Sequence, residues 1–110
     1  MIKHVGMIGL GAMGEVIARH LLKKNFAVNG YDIIPNRAIN LKSFGLDNHS
    51  SLEALAANSD ILITSLPSNE ALLAVIDSII QSKQKRLILL ETSTLKVQEK
   101  INASHIFEKY

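Results

Sequence analysis

The stretch Val5-Gly6-Met7-Ile8-Gly9-Leu10-Gly11-Ala12-Met13-Gly14-Glu15-Val16-Ile17 decides the fold of this 110-residue chain. An apolar run enters a turn with glycine at 9, 11 and 14, and a helical pattern starts at once. This is G-x-G-x-x-G between a strand and a helix, the arrangement that cradles a dinucleotide pyrophosphate. Gly9 turns the chain sharply out of the strand, where a Cβ would clash. Gly11 lets the backbone approach the pyrophosphate, and Gly14 lets the helix pack close to the sheet. The helix start then offers unpaired N–H groups and the positive end of its dipole. Asp32 closes the next apolar run, where a carboxylate can accept hydrogen bonds from the adenosine ribose hydroxyls.

Outward from this motif the pattern alternates strand and helix. Strands are expected over 3–9, 26–31, 46–48, 60–66 and 86–90, and helices over 12–24, 35–44, 52–57, 68–80 and 94–107. Asn25 suits a left-handed position after the first helix, and Pro35 the first turn of the second. Ser50 or Ser51 caps the third helix, and only Ser50 has the S-x-x-E spacing to Glu53. Five strands in this alternation predict an α/β fold. It is a Rossmann-type, doubly wound parallel sheet of order 3-2-1-4-5 with right-handed crossovers, one domain over 1–110. Ligand is then expected across the carboxyl ends of strands one and four, near the loops after Gly9, Asp32, Leu66 and Glu91.

Composition narrows the function. Hydrophobic content of 47% with 20% charged residues suits a packed domain and not a disordered tail. A net charge of +2 is no electrostatic footprint for nucleic acid, and 5% aromatic residues give single strands little to stack on. The absence of cysteine excludes disulfide and thiolate chemistry and fits a reducing, cytoplasmic setting. Glu15 and Arg19 interrupt the apolar run that follows Lys3, which argues against a signal peptide. No apolar run approaches the roughly 18 residues of a membrane span, so no membrane partner is expected.

Other residues carry weaker chemistry. The Asp32 carboxylate would repel a 2′-phosphate, so NAD is favoured over NADP. Arg37 would reach such a phosphate if its loop folded back; it reads otherwise as a solvated residue in the first turn of a helix. Leu66-Pro67 is either an apolar wall beside the cofactor or a plain terminator of the fourth strand. In Glu91-Thr92-Ser93-Thr94 the hydroxyls could hold a carboxylate or substrate hydroxyl, and Ser93 or Thr94 could equally cap the last helix. His4, His20, His49 and His105 read as surface histidines without metal-ligand spacing, and Lys83, Lys85 and Arg86 as a solvated basic turn.

Together, Gly9-Leu10-Gly11-Ala12-Met13-Gly14, the Leu66-Pro67 pair and the Ser93-Thr94 pair resemble the β-hydroxyacid dehydrogenase family, which includes 3-hydroxyisobutyrate dehydrogenases. The resemblance covers essentially the whole chain. It implies that Leu10, Gly11, Ala12 and Met13 lie along the pyrophosphate and that Asp32 holds the adenosine ribose. It implies that Leu66 and Pro67 pack beside the cofactor, that Thr94 contacts it near the nicotinamide, and that Ser93 helps bind substrate. The implied reaction is reversible hydride transfer between NAD(P) and a small 3-hydroxy acid, in an enzyme that is a homo-oligomer when full length.

Glu91 stands where the family usually has aspartate, and Val97 where it often has proline. The family's glycine-glycine substrate motif and its C-terminal helical domain with the catalytic lysine have no counterpart here. Lys96, Lys100 and Lys109 do not match that lysine, so no catalytic residue is assigned in this chain. The chain is therefore expected to be the cofactor half of a longer oxidoreductase, without turnover by itself and with exposed apolar surface. The alternative is a non-catalytic nucleotide-binding or protein-interaction module that keeps the fold. A methyltransferase is a weaker option, because the short strand-to-helix turn suits a pyrophosphate better.

Overall fold

The computed structural model describes residues 2–83 and 87–109. Five strands, β1 (His4–Ile8), β2 (Ala27–Tyr31), β3 (Asp47–Asn48), β4 (Ile61–Thr64) and β5 (Ile88–Glu91), alternate with helices. These are α1 (Ala12–Lys23), α2 (Pro35–Ile39), α3 (Leu52–Ala57), α4 (Asn69–Gln81) and α5 (Val97–Glu108). The strands form one sheet of order β3-β2-β1-β4-β5, parallel throughout, as the alternation predicts. The central strands are apolar on both faces because helices cover both. Val5 and Met7 of β1 and Ile63 of β4 pack with Ala18 of α1, while Ile8 and Leu62 pack with Leu55 of α3 and Val75 and Ile79 of α4. Ala103 seats α5 on Leu72 and Ile76 of α4.

Local departures from the sequence reading have physical causes. The helix expected over 35–44 breaks into α2 and a separate 3₁₀ turn, Lys42–Phe44. Tight bonds from Leu41 N to Ala38 O and from Phe44 N to Leu41 O bring Ala38 and Leu41, both buried, onto the core three residues apart. Ser51, not Ser50, caps α3: its hydroxyl accepts from Ala54 N at 3.1 Å. Starting the helix at Leu52 turns Leu55 and Ala56 inward, and Ala54 at the third position cannot reciprocate as Glu53 would from Ser50. The last helix starts at Val97, so neither Ser93 nor Thr94 caps it. A turn from Leu95 N to Ser93 O intervenes, and Glu99 Oε1 accepts from Lys96 N at 3.1 Å. Asn25 takes the left-handed conformation (φ 68) after α1. Lys85 and Arg86, in the basic turn and at the expected start of the fifth strand, lie outside the described residues.

On the face of the sheet that α1 covers, Ile88 and Leu90 extend the row of Ile61 and Ile63 onto β5 and remain about half exposed. The opposite, amino-terminal edge of the sheet is polar. His49 is not a free surface histidine, because its Nε2 lies 2.9 Å from Oδ1 of the buried Asn29. Asp60 Oδ2 accepts from Lys3 N at 3.0 Å and His4 N at 2.9 Å and lies 3.7 Å from His4 Nδ1.

The backbone bond from His4, then that from Lys3, hold the Asp60 carboxyl below its ordinary 3.8, and the nearby His4 charge adds to them. A depressed folded-state pKa contributes stability that is fully present above 3.8 and is lost as pH falls through the lower folded value. Asp60→Ala is therefore expected to be less stable than the parent chain at neutral pH. The two melting temperatures should converge in acid. A gap that persists unchanged in strong acid would rule out this linkage.

Candidate functional site

The loops at the carboxyl ends of β1, β2 and β4 enclose a cleft of about 470 Å³. Gly9 leaves β1 with φ +93, a conformation that side chains with a Cβ resist, and a Cβ there would also strike the Ser65 carbonyl oxygen. Gly14 lies directly against the Gly9 carbonyl, so α1 starts hard against the end of the strand. No side chain caps α1 at Gly11. The first-turn amides of α1 are left to an external acceptor, which is the physical requirement of an anion site at a helix start.

Asp32 ties this loop to the next. Its Oδ2 accepts from Leu10 N at 2.7 Å and its Oδ1 from Ile34 N at 2.8 Å, and the residue is buried. Gly9 N donates to Tyr31 O at 2.9 Å beside it. Each carboxylate oxygen keeps a second acceptor site for a ligand hydroxyl. Arg37 is an exposed residue of α2, as expected, and it also reaches the cleft. Its guanidinium folds back over the loop, 3.6 Å from Asp32 Oδ2, and lines the cleft with its side chain 47% exposed.

Of the residues singled out from the sequence, Gly9, Gly11, Ala12, Met13, Asp32, Leu66 and Pro67 all line the cleft. Leu10 and Gly14 are buried behind it and shape it through backbone contacts. Ser93 is buried outside it, where its Oγ accepts from Leu66 N at 2.7 Å. Thr94 is exposed and does not line the cleft. The sequence reading missed the far wall. Ala71, Ala74, Val75 and Ser78 of α4 face the cleft with Leu52 and the exposed Ile33. The signal was the recurrence of small residues at 71, 74 and 78 on one helical stripe.

The residues fit a dinucleotide: α1 amides without a side-chain cap, the Asp32 carboxylate bonded to Leu10 N of the same loop, and an apolar wall of Leu66, Pro67 and α4 across the cleft. A model of the NAD binding domain of 6-phosphogluconate dehydrogenase matches residues 4–110. The chain belongs to that family.

Within it, the chain is similar to mitochondrial 3-hydroxyisobutyrate dehydrogenase of Mus musculus, 33% identical over 94 residues, covering 83% of this chain and 28% of the relative. The enzyme of the same name from Drosophila melanogaster is 32% identical over 108 residues, covering 92% and 33%. The chain thus spans a third or less of the length of these relatives. Among solved structures, Mycobacterium tuberculosis 3-hydroxyisobutyrate dehydrogenase with L-serine superposes with a TM-score of 0.93 at 23% identity, over 99% of this chain and 38% of that one. An imine reductase from Bacillus cereus gives 0.89 at 21% identity, over 97% and 37%. These two likenesses establish the fold. The chain is an NAD(P)-binding domain of Rossmann type.

Proposed function

We propose that this domain serves an oxidoreductase that transfers a hydride between NAD(P) and a small 3-hydroxy acid, and that it favours NAD. The observation that carries the reading is one cleft in which the uncapped start of α1 and the Asp32 carboxylate are held together by the Leu10–Asp32 bond. The similarity to 3-hydroxyisobutyrate dehydrogenases supports the substrate class.

The nicotinamide would supply the hydride chemistry. The chain's own residues bind and orient. Amides of Ala12 and Met13 would meet the pyrophosphate, Asp32 the ribose hydroxyls, and Leu66 and Pro67 would exclude water along one side. Ser93, by resemblance, would help bind substrate, and Thr94 would lie near the nicotinamide. The general acid that hydride transfer requires is assigned to none of these residues, so binding and not turnover is the readout for this chain.

The preference for NAD rests on the buried carboxylate, which opposes a second phosphate, while Arg37 offsets part of that charge. Calorimetric titration should show NADH binding more tightly than NADPH. Arg37→Ala should widen the gap by about tenfold, the scale of one lost charge-assisted contact to a phosphate. Tighter binding of NADPH by the parent chain would reverse the cofactor assignment, and no binding of either would sink the proposal.

A further inference from the structure

Leu66 forms part of the cleft wall. β4 ends at Thr64, the Ser65 N–H reaches Ile8 O, and Pro67 has no N–H to offer. The Leu66 N–H donates instead to Ser93 Oγ at 2.7 Å. The Ser93 backbone is held in turn, because its N–H donates to Glu91 Oε1 at 2.8 Å. Thr64 Oγ1, fully buried, donates to the same oxygen at 3.3 Å. The other carboxylate oxygen, Glu91 Oε2, is buried without a hydrogen bond and is compensated by the Lys100 ammonium of α5 at 3.2 Å.

We infer that Lys100 and Glu91 are positioning residues for the cofactor cleft, acting through Ser93 on the Leu66–Pro67 wall. The inference rests on the reading of that cleft as a dinucleotide site. A buried carboxylate oxygen deprived of its countercharge must take up a proton or swing toward water. Either event draws Oε1 away from Ser93 N, and a shifted Ser93 no longer meets the Leu66 amide. Helix α5, which contributes no lining residue to the cleft, is thereby coupled to its wall.

The test uses the whole chain and two readouts: amide hydrogen exchange and NADH affinity. In Lys100→Met, exchange at Leu66 should rise about tenfold while exchange at Leu62, in the middle of β4, stays put. NADH affinity should fall about three- to tenfold, the scale of one displaced contact. Lys100→Arg should restore both. In Glu91→Gln, which keeps an oxygen for Ser93 N and needs no countercharge, Lys100→Met should be nearly silent, a non-additivity that a general loss of helix docking would not produce.

Leu66 exchange that is unchanged, or that rises only in step with Leu62, overturns the relay. So does faster Leu66 exchange with undiminished NADH affinity, or full additivity of the two substitutions. Failure of the parent chain to bind either cofactor would instead defeat the proposed function, and the Leu66–Leu62 comparison would still decide whether the relay exists.

Discussion

Gly14→Ala is expected to melt well below the parent chain and to lose measurable NADH binding. A Cβ at this position would overlap the Gly9 carbonyl oxygen, a backbone atom with no rotamer to escape into. Relief requires α1 to move off the end of β1, and α1 carries Ala18 into the centre of the core. Overpacking against a backbone lies at or beyond the upper end of the usual cost, ~3 kcal/mol or more. In a domain of this size that corresponds to a fall in melting temperature of roughly 12–24 °C.

Gly11→Ala separates the two tasks of the loop. A Cβ on Gly11 meets nothing nearer than the Arg37 guanidinium at 3.8 Å. Its stability should fall by no more than ~1 kcal/mol, the scale of alanine at the N-cap of α1, while NADH affinity falls by about tenfold or more because the new methyl stands where the pyrophosphate approaches. Equal melting temperatures for Gly14→Ala and the parent, or parental NADH affinity in Gly11→Ala, would contradict this division of roles.

Asp32→Ala should weaken NADH binding by ~1–2 kcal/mol through the lost hydrogen bonds to a charged acceptor. It should also destabilise the chain itself, which a residue that only contacts ligand would not do. The buried Leu10 amide loses its acceptor at 2.7 Å, and Ile34 N loses the other oxygen. An orphaned buried donor costs ~1–3 kcal/mol. With the carboxylate gone, the Arg37 charge stands uncompensated in the cleft, so NADPH should gain relative to NADH. Asp32→Asn keeps one oxygen for a backbone amide and should recover part of the stability but little of the discrimination. Calorimetry and thermal melts on the three proteins separate these effects. A destabilisation without any change in the NADH to NADPH ratio would confine Asp32 to a structural role.

Where the sequence was legible, the determinant was local. The period of apolar residues marked β1, α1, β2, β4 and α4 to within a few positions, and three glycines placed the turn that starts the site. Reading failed where the outcome hung on packing. The helix over 35–44 broke because Ala38 and Leu41 had to reach the same core from successive turns. The last helix begins at Val97, past both expected caps, and the Ser93 hydroxyl meets the Leu66 amide instead of a helix start.

The strands, the helices and the glycine-rich turn were thus legible in the sequence alone, since side-chain periodicity and the steric demand for a missing Cβ belong to segments of a few residues, and the parallel order followed from their alternation along the chain through the rule of right-handed crossovers. Tertiary structure alone decided that Arg37 folds onto Asp32, that α4 supplies the far wall of the cleft, and that Ser93 turns away from it toward Leu66. Those outcomes depend on how the loops and crossovers set side chains against one another in space: a turn that brings Arg37 to 3.6 Å from Asp32, a helix laid along the cleft, and a serine brought to 2.7 Å from an amide 27 residues away, none of which residue types and their period specify.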